Sequence, residues 1–167
     1  MHCVNWDGQN LVLEINRREK RLLFDLLKLY PLIPASHHPV SRASAPGEIG
    51  ADRKLLEEAL AEQRSENRKQ VAALLQTEDR FQEIKAGFRF SLTAPEAEWL
   101  LQVLNDVRVG SWLVLGEPDE KKGKTLELTE PNDRYVWAME LAGYFEMTLL
   151  DALHGPDASR SPSIPGT

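Results

Sequence analysis

Two histidines stand side by side at His37 and His38, and imidazoles are the side chains most ready to hold zinc or nickel. Adjacent residues rarely face one metal ion together. No His-x3-His or Cys-x2-Cys spacing accompanies the pair, so it reads as part of a linker and no metal is expected. Nucleophilic catalysis is equally unsupported, because no Gly-x-Ser-x-Gly elbow is present. The phosphate-cradling patterns Gly-x4-Gly-Lys-Ser/Thr and Gly-x-Gly-x2-Gly are missing as well. No cofactor is therefore expected. Glu140 and Glu146 are isolated acids six positions apart, a spacing that puts them on different faces of a helix, whereas a catalytic carboxylate pair must converge. Cys3 is the one cysteine and has no partner for a disulfide.

The polar set with most chemical content is Asn105, Asp106 and Arg108, which interrupts the apolar run beginning Trp99-Leu100. Asn105 and Arg108 share one helix face, and Asp106 lies toward another. Two readings follow. Arg108 pairs with a carboxylate of the last helix and fixes helix packing, or the cluster grips an anionic ligand or metal as an enzyme site. The first is favoured because structural ion pairs outnumber functional ones.

These residues must be positioned by a chain of 167 residues, 42% apolar and 28% charged, which is enough for one domain with its own core. Net charge is -6, distributed as +1 over residues 1–50, 0 over 51–90 and -7 over 91–167. An acidic C-terminal half disfavours nucleic-acid partners, although Arg17, Arg18, Lys20 and Arg21 cluster on one helix start. The most apolar stretch, Trp112 to Leu115, is far too short to span a membrane. The first residues lack a basic segment followed by an apolar one, so a cytoplasmic chain is expected.

Leu11, Leu13 and Ile15 alternate as in a strand, and Asn16 with Glu19 forms a capping box for a helix carrying Leu22, Leu23, Leu26, Leu27 and Tyr30. Pro31 and Pro34 end it. Residues 34–50 read as a flexible connection. A second helix is predicted from Ala51 or Asp52 to Gln76, its polar middle crossing open water or a polar partner surface at Gln63 and Asn67. Phe88 to Leu92 is a second strand, and Thr93-Ala94-Pro95-Glu96 caps a helix reaching about Leu115. A short extended piece is predicted at Thr125 to Thr129, and a last helix spans Asn132 to Leu153. It carries one apolar seam through Tyr135, Ala138, Ala142, Phe145 and Leu149 and another through Trp137, Leu141, Tyr144 and Thr148. The expected fold is mainly α, a four-helix bundle-like domain over residues 1–153 with a small two-stranded β element and a disordered tail over 154–167.

Displaced by 77 positions, Leu11, Leu13, Ile15, Asn16, Glu19, Leu22 and Leu23 fall on Phe88, Phe90, Leu92, Thr93, Glu96, Trp99 and Leu100. The match reflects either duplication of a strand-helix-helix unit, its two strands pairing across a pseudo-twofold axis, or the generic grammar of a capped amphipathic helix after a strand; the grammar is favoured for the residues, and the two strands are expected to pair with each other.

Leu104-Asn105-Asp106-x-Arg108, preceded by Glu96-x-x-Trp99-Leu100 and followed by the helix from Tyr135-Val136-Trp137, resembles a family of uncharacterised, largely actinobacterial helical proteins. The resemblance covers residues 88–153. It implies a cytosolic helical domain, sometimes encoded beside an adaptor of the Clp protease, and hence a role in regulation or protein quality control. Val109-Gly110-Ser111-Trp112 departs from the more leucine-rich run of that family. The resulting expectation is a non-enzymatic interaction or regulatory protein that self-associates or binds a protein partner. Tyr135, Trp137, Leu141, Tyr144 and Phe145 form its candidate interface, and a small-ligand or metal-dependent enzyme at Asn105, Asp106 and Arg108 is the alternative.

Overall fold

The structure is a computed structural model that describes residues 1–33, 49–118, 123 and 129–154. Of the expected connection at 34–50, residues 34–48 lie outside the described residues and 49–50 already belong to a helix; the His37-His38 pair, residues 125–128 of the expected extended piece at 125–129 and the tail from 155 also lie outside them. Among the described residues the order is β1 (His2–Trp6), β2 (Asn10–Ile15), α1 (Arg17–Leu27), α2 (Ile49–Gln76), a single 3-10 turn (Glu78–Arg80), β3 (Gln82–Ile84), β4 (Gly87–Thr93), α3 (Ala94–Val114) and α4 (Glu130–His154).

The expected bundle with a two-stranded element is instead a helical layer on a four-stranded antiparallel sheet of order β1-β2-β4-β3. β2 and β4 do pair, and they form the centre. The strands that sequence periodicity passes over are the two edges. β1 is mostly exposed and β3 has three residues, so neither has the alternating buried positions that mark a half-buried strand. In β2 and β4 the alternation is clean. Leu11, Leu13, Ile15, Phe90 and Leu92 turn to the helices, and Arg89 and Ser91 turn to solvent. Directly across the outer face, Arg89 donates to Glu14 at 3.0 Å from Nε and 2.5 Å from Nη2.

Both predicted capping boxes are formed. The Asn16 side chain accepts from the Glu19 N–H, and the Glu19 carboxylate accepts from the Asn16 N–H. Thr93 and Glu96 repeat this at the start of α3, with Pro95 in the first turn where its missing N–H costs nothing. Each capping carboxylate is also held by a cation, Glu19 by the α-amino group of Met1 and Glu96 by Arg80.

The 77-residue displacement is more than the grammar of a capped helix. Leu13 pairs with Phe90, its own counterpart 77 positions on, so a pseudo-twofold axis runs between them. The hairpins obey the same relation: Trp6–Leu11 and Asn5–Val12 in β1–β2 correspond to Glu83–Phe88 and Gln82–Arg89 in β3–β4. The second helices follow with one residue of offset. α2 buries Asn67, Val71 and Leu74, and α4 buries Phe145, Leu149 and Ala152 at the same spacing, 78 positions on. The chain is two ββαα units sharing one sheet and one core.

The units differ in their first helix. α1 has 11 residues and α3 has 21. The second half of α3 packs on α4, and among the described residues the first unit has no helix that corresponds to it. Where α1 would continue, the chain bends through the cis Tyr30–Pro31 bond and docks on α3 instead.

Candidate interaction surface

Asp106 sits on the face of α3 that receives this bend. It is nearly buried, and its Oδ1 accepts the backbone N–H groups of Leu32 at 2.7 Å and Ile33 at 3.3 Å. Gly110, one turn later, supplies the clearance: a Cβ there would lie 2.4 Å from Leu32 Cβ and about 3 Å from the Leu32 and Ile33 backbone. A carboxylate that satisfies two otherwise orphaned donors is an anchor for the chain bend.

Asn105 and Arg108 face a different way. Arg108 Nη2 donates to Asn105 Oδ1 at 2.9 Å, and its Nε meets Glu146 Oε2 of α4 at 2.8 Å. Burial pushes the Glu146 carboxyl up, and the Arg108 guanidinium opposes that rise. The three residues thus split into two intramolecular connections, one to the α1 exit and one between α3 and α4. Among the described residues no group of three or more His, Cys, Asp or Glu is placed to hold a metal ion.

Of the basic cluster on α1, Arg17 pairs with Glu83 and lies over Phe88. Lys20 Nζ caps an aromatic cluster, 4.0 Å from the Phe88 ring centre and 4.4 Å from that of Phe81. Such a contact holds the ammonium against the phenyl faces and reduces what the cluster can offer to phosphates.

α4 carries the second apolar seam at the surface. Its first seam, through Ala138, Ala142, Phe145 and Leu149, is core. Phe145 is fully buried there, which removes it from the expected interface, because it lies on the seam facing α3 and the sheet. Tyr144 is exposed at its ring, while its hydroxyl is committed: it accepts from the Met1 amine at 2.9 Å and donates to Glu19 Oε1 at 2.8 Å. Burial and the Glu19 carboxylate both push the Tyr144 hydroxyl up. Tyr135 and Leu141 are half-buried, with Arg134 stacked on the Tyr135 ring. Trp137 is 67% exposed and so is the main apolar side chain of that seam; Met147, 64% exposed, extends the patch. Periodicity around Trp137 and Leu141 does not select Met147, which lies to one side of that seam.

On α2, the predicted polar middle is divided. Asn67 is buried, hydrogen-bonded to Gln63 at 3.0 Å and to the Tyr30 hydroxyl. The helix from Lys54 to Gln63 is otherwise exposed apart from a half-buried Leu60. Between the C-terminal half of α2 and the start of α3 lies an open groove of about 490 Å³, lined by Gln63, Gln70, Glu96, Glu98, Trp99 and Gln102. Arg80, which no sequence signal marks, closes one end: its Nη2 pairs with Glu96, and its Nε donates to the Ser91 carbonyl at 3.2 Å, covering the free edge of β4 beyond the short β3.

No protein-family model matches the chain, and neither does any curated protein or solved structure. No helix among the described residues is long and apolar enough to cross a membrane.

Proposed function

We propose that this chain is a cytosolic, non-enzymatic interaction or regulatory protein that self-associates. The observation that carries this reading is the outer side of α4, where Trp137 and Met147, each about two-thirds exposed, flank the exposed Tyr144. Large apolar side chains grouped on one helix face are what a protein partner covers. The commitment of Asp106 to the Leu32–Ile33 backbone and of Arg108 to Asn105 and Glu146 supports the same reading, because it leaves the alternative enzyme site without convergent free groups. A lone exposed cysteine fits a reducing compartment. The resemblance of residues 88–153 to uncharacterised helical proteins sometimes encoded beside an adaptor of the Clp protease fits such a role, and it rests on the motif residues alone.

Sedimentation equilibrium over a range of protein concentrations tests the reading. A mass that rises toward twice the 18.9 kDa chain supports it. A single monomeric mass at every concentration, together with turnover or saturable binding of a small molecule, would replace it with the enzyme reading.

A further inference from the structure

The pseudo-twofold axis relates the groove between α2 and α3 to a crevice in the other half of the molecule that is filled. Met1 sits in that crevice, between the start of α1 and α4. Its side chain is buried, its ammonium group pairs with the capping carboxylate of Glu19, and it donates to the Tyr144 hydroxyl at 2.9 Å. Glu96 is the counterpart of Glu19, 77 positions on, and α2 is the counterpart of α4, so the groove is the second copy of this crevice. There the capping carboxylate is held by Arg80. Arg80 takes the place of the Met1 ammonium group, and about 490 Å³ stays open beside it.

The groups around this space define what it accepts. Leu74 and Trp99, both core residues, form an apolar floor. Above it stand Gln70, Gln102 and Glu98. Gln70 Oε1 is buried without a hydrogen-bond partner, an arrangement that costs free energy until a donor reaches it. Because Gln70 itself lines the groove, a turn of its amide offers that oxygen to a ligand. Arg80 and Glu96 neutralise one another, whereas Glu98 is exposed and stands outside every ion pair among the described residues. One carboxylate is left uncompensated. Amide oxygens and a carboxylate over an apolar floor match an aliphatic chain that ends in an ammonium group, which brings three donors and a positive charge. Met1 presents the same combination, an ammonium group beside a linear apolar chain, to the counterpart crevice.

We propose that the groove between α2 and α3 binds a small aliphatic primary amine, its ammonium group on Glu98 and the Gln70 amide oxygen and its chain over Leu74 and Trp99. The site is separate from the outer side of α4 and does not depend on self-association.

The test is isothermal titration of the full chain with n-pentylamine in about 0.15 M salt, which screens the general attraction of an acidic protein for cations. Ethylamine, which lacks the chain, and 1-pentanol, which lacks the charge, are titrated beside it. The protein is compared with Glu98→Gln and with Glu140→Gln, an exposed acid of α4 away from the groove; both positions are exposed, so neither change disturbs the core. The expected result is one saturable site for n-pentylamine, weakened on the order of tenfold by Glu98→Gln and unchanged by Glu140→Gln. Ethylamine and 1-pentanol should each bind on the order of tenfold more weakly than n-pentylamine. Heat that never saturates, an equal effect of the two glutamine variants, or ethylamine binding as tightly as n-pentylamine overturns the proposal.

Discussion

Leu13 and Phe90 face one another at the middle of the β2–β4 pair, each the 77-residue counterpart of the other, so the pseudo-twofold axis of the molecule passes between them. Everything that distinguishes the two halves can be measured from that axis. The capping boxes are equivalent, the hairpins are in the same register, and the second helices bury the same spacing. The first helices are unequal, and the extra turns of α3 both hold α4 and, through Asp106 and Gly110, divert the chain leaving α1.

If the two capping boxes are true equivalents, Asn16→Ala and Thr93→Ala should destabilise by similar amounts, about 1 kcal/mol each. Their helices start at separate points on the sheet, so the double variant should lose the sum within roughly 0.5 kcal/mol. Urea unfolding of the four proteins measures this; a single box carrying nearly all of the loss would break the equivalence.

The chain bend depends on Asp106 and Gly110. Asp106→Ala leaves the Leu32 and Ile33 N–H groups without their acceptor and should cost on the order of 2 kcal/mol, while Asp106→Asn retains an acceptor oxygen and should cost less. Gly110→Ala gains about 1 kcal/mol of helix propensity. The Cβ it adds meets Leu32 at 2.4 Å, and the net effect should be destabilising. Thermal melts decide both, and a more stable Gly110→Ala variant would mean the bend is not packed against α3.

Burial would raise the Glu96 carboxyl, but hydrogen bonds from Arg80 and the Thr93 N–H outweigh it and hold the group below the ordinary glutamate range. As pH falls, the unfolded chain therefore takes up this proton first. The stabilisation is present above the ordinary glutamate value of 4.5 and is lost as pH drops through the lowered folded value. Arg80→Ala should thus differ most from the wild type at neutral pH, by on the order of 1 kcal/mol for this half-buried pair, and should approach it once pH falls through the lowered folded value. Denaturant unfolding across that range checks the sign. A gap that is unchanged at low pH would assign the effect to the Arg80–Ser91 bond alone.

Much of the central structure is legible in the sequence because its signals are local. Alternation marks β2 and β4, and Asn16-x-x-Glu19 and Thr93-x-x-Glu96 mark the helix starts. The edge strands are not legible, since β1 and β3 bury too little to need apolar alternation. Nor is the role of Asp106: its partners are backbone N–H groups 73 and 74 positions away, and backbone groups leave no trace in side-chain types. The Arg108 connection to the last helix follows from charge alone, but which acid receives it does not, because Glu140 and Glu146 differ only in the face they occupy. The symmetry is half visible. Its strand and cap positions match by type, while the α2 and α4 seams match only in burial, with Asn67 standing where α4 has Phe145.

Self-association through the exposed apolar side of α4 is tested most directly by hydrogen exchange on the wild-type chain at low and high protein concentration. The expected result is slower exchange at high concentration across residues 134–150, with the central amides of β2 and β4 unchanged. Exchange that is independent of concentration along the whole chain would contradict it.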